Sequence, residues 1–194
     1  MSHFDGLVFL RPDADLDETL APYDEQGKKY MQFIDETDKV KEEWEKLPDS
    51  FPAKEERWKY EPSKEKYPSF TDYAEKYLCY HEVNGRYGYM SSPNAKYDWY
   101  SEGGKWDGFL CLKTGSTANV VMLTEVDWER TDVPFCFVDT ESEWHEKGEM
   151  GWFDEVANAK KQEDWDSEFK SYVENLLKDE QARKIKVCII DFHK

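Results

Sequence analysis

The sequence predicts an α+β fold, a mainly antiparallel sheet with helices on one face. Three observations predict it. Apolar, strand-like runs stand at both ends of the chain, over 4–10 and 185–192. Helical periodicity is confined to a few stretches between them, most clearly 164–180. Short β-branched or aromatic runs bounded by Gly, Pro and Asn fill the middle. Elements of both kinds around one core define the class. If the terminal strands pair antiparallel, as in a ferredoxin-like core, the start of the first faces the end of the last. His3 then lies near Asp191 or His193.

Each element has its own signal. Residues 4–10 form a short apolar run stopped by Arg11-Pro12, a buried strand. Residues 13–25 are acidic and turn-rich, a loop with a helical turn. Over 28–47 Lys alternates with Glu and Asp, and Val40, Trp44 and Leu47 make a narrow helical stripe. Pro48, Pro52, Pro62 and Pro68 break the chain that follows. The stretch 28–69 therefore reads as a charged insertion or lid within a single domain spanning 1–194. Ser69 is placed to cap a helix running to about Cys79. Asn84-Gly85 marks a tight turn. Strands follow at 109–112, 119–126 and 135–139, the last opening a hairpin that returns through 143–146. In the helix over 164–180, Trp165, Phe169, Val173 and Leu176 share one face.

Composition narrows the function. The 194 residues carry 26 Lys and Arg against 43 Asp and Glu, a net charge of −17. Such a balance opposes duplex-DNA binding, which needs a basic face to displace counterions, and opposes an anionic membrane. It raises a partner with a basic surface, beside the plainer reading that the charge keeps the chain in solution. Apolar residues are only 39%, but 8 Trp, 12 Tyr and 11 Phe supply a core, each buried ring removing about 150–250 Å² from water. No apolar run is long enough to span a membrane, and the first residues do not resemble a signal peptide. Cys79, Cys111, Cys136 and Cys188 are scattered, with neither zinc spacing nor a disulfide framework, as in a cytoplasmic protein.

Three segments could carry chemistry. In 94–108, Lys96, Trp99, Tyr100, Gly103, Gly104, Lys105 and Trp106 combine cations, rings and glycines suited to an anionic, stackable ligand. No Walker or Rossmann pattern accompanies them. His145, among Glu143, Glu146 and Glu149, has the surroundings of a general base. Asp191 and His193 share a strand face and are the other catalytic candidates. With His3 they form a geometrically allowed metal set, though without zinc-site spacing. The sequence asks for no cofactor and no metal. No nucleophile elbow or Cys–His pair is present, which favours binding over catalysis.

Several segments together resemble a family of uncharacterised bacteriophage and prophage proteins. These are Met1-Ser2-His3-Phe4, Leu20-Ala21-Pro22-Tyr23, Gly85-Arg86-Tyr87-Gly88-Tyr89, 93–100, Gly103-Gly104-Lys105-Trp106, Trp144-His145-Glu146-Lys147-Gly148, Met150-Gly151-Trp152 and the 191–193 end. The family pattern begins Met-Ser-His-Phe and carries a central Trp-Asp-Trp-Tyr-x-x-Gly-Gly-Arg-Trp. This chain departs at Tyr97 and Lys105, where the pattern has Trp and Arg. Lys keeps the charge but loses bidentate recognition. The resemblance implies phage origin and a place in the host cytoplasm. By analogy it implies an acidic accessory protein that blocks a host defence or nucleic-acid-processing protein such as a nuclease, as anti-CRISPR proteins do. The alternative is a nucleotide- or small-anion-binding protein or enzyme using 99–106 with the His and Asp residues.

Overall fold

The computed structural model describes residues 2–51, 61–151 and 155–194. They form an α+β protein of two compact units. The first joins Met1–Gly27 to Asn94–Lys194, and the second is Lys28–Pro93. The stretch 28–69 falls within the second unit, and part of it, 52–60, lies outside the described residues.

Among the described residues the chain opens with β1 (His3–Leu10), α1 (Leu16–Leu20), β2 (Gln32–Asp35), α2 (Thr37–Glu45) and α3 (Phe70–Asp72). Next come β3 (His81–Val83), β4 (Arg86–Ser91), β5 (Trp99–Glu102), β6 (Leu110–Cys111) and β7 (Thr117–Ala118). Then follow β8 (Val120–Met122), β9 (Cys136–Val138), β10 (Trp144–Glu146), β11 (Glu149–Met150) and β12 (Val156–Ala157). Helix α4 (Gln162–Leu176) and strand β13 (Lys186–His193) end it.

In the first unit the main sheet runs β10-β9-β1-β13-β5, with β8 also pairing β13. The terminal strands pair antiparallel as expected, His3 opposite His193 and Asp5 opposite Asp191. Strand β1 pairs β9 in parallel. A first strand between a parallel neighbour and the antiparallel last strand is the ferredoxin-like arrangement at the sheet centre. The outer strand β10 here follows its neighbour β9 directly, as a hairpin. The turn between them spans 139–143, where Asp139 Oδ1 accepts the Glu141 and Glu143 N–H groups.

Strand alternation divides the core in two. Leu7, Phe9, Val187 and Ile189 face Trp165, Phe169, Val173 and Leu176 of α4. Phe4, Val8, Leu10, Ile190 and Phe192 face the other way, onto Leu20, Tyr97 and Val138. Each such side chain contributes about 1.5–3 kcal/mol when fully buried. Trp165 is fully buried, and its indole N–H donates to the Pro134 carbonyl at 2.7 Å. The end of strand β13 is hydrogen-bonded on both edges. Ser2 N–H donates to Lys194 O at 2.6 Å, and Asp98 N–H donates to His193 O at 2.8 Å.

In the second unit β2-β4-β3 make a small sheet. Asn84 and Gly85 take positive φ in the β3–β4 turn. Val40 of α2 packs with Tyr73 and Ala74, and Trp44 and Leu47 lie against them. Ser69 Oγ accepts the Asp72 N–H, capping α3. The helical stretch continues to Tyr77, close to the expected end, but over 73–77 it widens into a π turn.

Candidate functional site

The register that joins the chain ends builds one site. A His-x-Asp on β1 meets an Asp-x-His on β13, so His3, Asp5, Asp191 and His193 occupy one sheet face. His3 Nδ1 lies 3.1 Å from Asp191 Oδ1. His193 Nε2 lies 3.5 Å from Asp191 Oδ2. The two imidazole centroids are 3.9 Å apart. Ligand atoms of His3, Asp191 and His193 all fall within 4.8 Å of one another.

The third strand completes it. Strand β5 sets Trp99 opposite His193 and Ser101 opposite Asp191. The Trp99 indole stacks on the His193 ring at 3.3 Å and 16°, while 47% of Trp99 stays exposed. The glycines then act on a carboxylate of this chain. Gly104 has φ +53°, and a Cβ there would stand 2.5 Å from Asp191 Oδ2. Only a bare backbone brings the Lys105 N–H to Asp191 Oδ2, at 2.9 Å. Gly103 has φ +69° and lies against Asn119, and its N–H donates to Ile189 O.

Burial sets the chemistry. His193 is 3% exposed, and neither ring nitrogen has a hydrogen-bond partner among the described residues. Burial lowers its pKa, opposed by the Asp191 charge. That direction favours the neutral ring, the form with a lone pair to offer. Asp5 accepts the Phe135 N–H at 3.3 Å, and burial raises its pKa.

The other predicted residues are placed elsewhere. Lys96 is paired with Glu146 at 2.6 Å, beside a cavity of about 270 Å³ that Lys194 also lines. Tyr100 faces the opposite side of the sheet, packs against Phe192 and donates to Asp17. Trp106 packs on the α4 core, with the Lys105 amine 5.4 Å from its ring. His145 is held by Asp139 at 3.1 Å, and Glu168 is 3.9 Å from its other nitrogen. Its ring stacks on Phe137. Asp5 and Ser101 escaped the sequence reading. The mirrored His-x-Asp and Asp-x-His were the signal for Asp5, whereas Ser101 needs the β5 register.

A second feature lies along α4. A groove of about 800 Å³ has Trp128, Val133, Phe169, Val173 and Leu177 as its floor. Glu129, Asp132, Asp166 and Glu174 rim it, with Lys170 its one lining cation among the described residues.

No protein-family model, no curated protein and no solved structure matches the chain. No helix among the described residues is long and apolar enough to cross a membrane.

Proposed function

We propose that this protein is an acidic accessory factor that binds a basic partner protein through the α4 groove. The groove carries the reading. An apolar floor, with Leu177 38% exposed, sits inside a carboxylate rim on a chain of net charge −17. That combination suits a cationic segment with an apolar anchor, because the rim steers approach and the floor supplies buried area. The phage resemblance supports a host nuclease or defence effector as the partner, acted on in the host cytoplasm and inhibited as anti-CRISPR proteins inhibit theirs.

Affinity capture from a host lysate, followed by binding measurements on the purified partner, tests it. The expected partner is basic, and its complex weakens as salt rises. The double variant Asp166→Lys with Glu174→Lys weakens it by about tenfold or more. A complex indifferent to both salt and charge reversal contradicts the reading.

A second reading, a site for a nucleotide-like anion or an enzyme acting on one, is favoured by the exposed Trp99 ring. Every base has a face to stack on such a platform. Quenching of tryptophan fluorescence by nucleotides, lost in Trp99→Leu, is its expected signature. Quenching that survives the substitution removes it.

A further inference from the structure

We propose that His3, Asp191 and His193 bind one divalent late first-row transition ion, of which zinc is the model. The inference stands on these side chains and is independent of both functional readings above.

Geometry comes first. Ligand atoms of a tetrahedral ion with bonds of roughly 2.0–2.1 Å stand roughly 3.3–3.4 Å apart. His3 Nδ1 lies 3.1 Å from Asp191 Oδ1 and His193 Nε2 lies 3.5 Å from Asp191 Oδ2, two different oxygens, and one ligand atom from each residue falls within 4.8 Å of the others, so a bound ion would draw the three closer. Two imidazoles and one carboxylate are donors such ions accept, with a fourth position left for water or ligand.

The second observation is independent of the spacing. Buried histidines ordinarily find a partner for each ring nitrogen. His193 is 97% enclosed, as its 3% exposure states, yet neither nitrogen makes a hydrogen bond among the described residues, Nε2 lying 3.5 Å from Asp191 Oδ2. A metal ion would occupy that nitrogen's lone pair.

The surroundings are those of an oriented ligand set. The Lys105 N–H fixes Asp191 Oδ2, and Trp99 fixes the His193 ring plane. Such outer contacts orient ligands and tune their basicity. His3 lies at the accessible side, its side chain 35% exposed, which gives the ion a way in.

The test uses the full chain, stripped of metal and without a histidine tag, since both termini flank the site. It is titrated with Co²⁺ and then with Zn²⁺. We expect one Co²⁺ per chain, visible absorption bands, quenched Trp99 fluorescence, and displacement by one equivalent of Zn²⁺. His193→Ala and His3→Gln are each expected to weaken binding at least about 100-fold, the upper end of what loss of an outer contact costs. His3→Gln changes a half-exposed residue and decides alone if His193→Ala does not fold. His145→Gln, in the other histidine cluster, is expected to leave binding unchanged. The proposal is overturned if Co²⁺ does not bind, if His3→Gln binds it equally well, or if His145→Gln is the variant that loses it.

Discussion

Two histidines sit beside an aspartate on the main sheet, and their surroundings differ. At the hairpin end, His145 Nε2 is 3.1 Å from Asp139, its Nδ1 is 3.9 Å from Glu168, and its ring stacks on Phe137 at 4.5 Å. At the end where the chain termini meet, His193 stacks on Trp99, and its nitrogens find no hydrogen bond among the described residues. Both neighbourhoods hold three side chains within metal-ligating reach. Only the second holds a buried ring that makes no hydrogen bond among the described residues. Satisfied polar groups build structure, whereas an unsatisfied buried one costs stability and points to something outside the protein that it serves.

Substitutions can break or sharpen that contrast. The largest effect is expected from Gly104→Ala, which puts a methyl 2.5 Å from Asp191 at positive φ. A loss of about 2–4 kcal/mol in urea unfolding is expected, together with loss of metal uptake. Next is His145→Leu, which strips Asp139 and Phe137 of a partner and is expected to cost about 1–3 kcal/mol. His193→Leu should behave oppositely in metal-free protein. It loses ring stacking worth about 0.5–1.5 kcal/mol but removes an unsatisfied buried group that costs about 1–3 kcal/mol. Unfolding should therefore show unchanged or slightly higher stability. If His193→Leu cost more than His145→Leu, the contrast would be wrong.

A separate check concerns Tyr172, which stacks on Phe137 beside the hairpin. Burial pushes its phenol up to about 12. The folded protein therefore holds this proton longer than the unfolded chain, so stability falls as pH rises from about 10 toward 12. Tyr172→Phe should flatten that alkaline loss, measured by denaturant unfolding across the same range. An identical slope in both proteins would assign the alkaline loss to other groups.

The site was legible in the sequence where local rules suffice. Strand alternation puts Asp191 and His193 on one face, and pairing of the chain ends brings His3 to them. The α4 stripe of Trp165, Phe169, Val173 and Leu176 is equally local. What was hidden depends on distant partners. Strand β2 lies in a Lys/Glu-rich stretch that reads as helix, and it exists because Phe33 and Ile34 pair with Met90 and Tyr89. The apolar run 119–126 reads as one strand, but only Val120–Met122 pair before 123–125 turn. Gly103-Gly104-Lys105 reads as an anion cradle. The anion it holds is the carboxylate of Asp191, far along the chain.

The most direct measurement is a long-range ¹H–¹⁵N spectrum of the four histidine rings, before and after one equivalent of Zn²⁺. The account predicts that His145 shows a hydrogen-bonded ring unmoved by zinc, while His3 and His193 shift together. If zinc moved His145, or left His3 and His193 where they were, the assignment of one cluster to structure and the other to ligand binding would be contradicted.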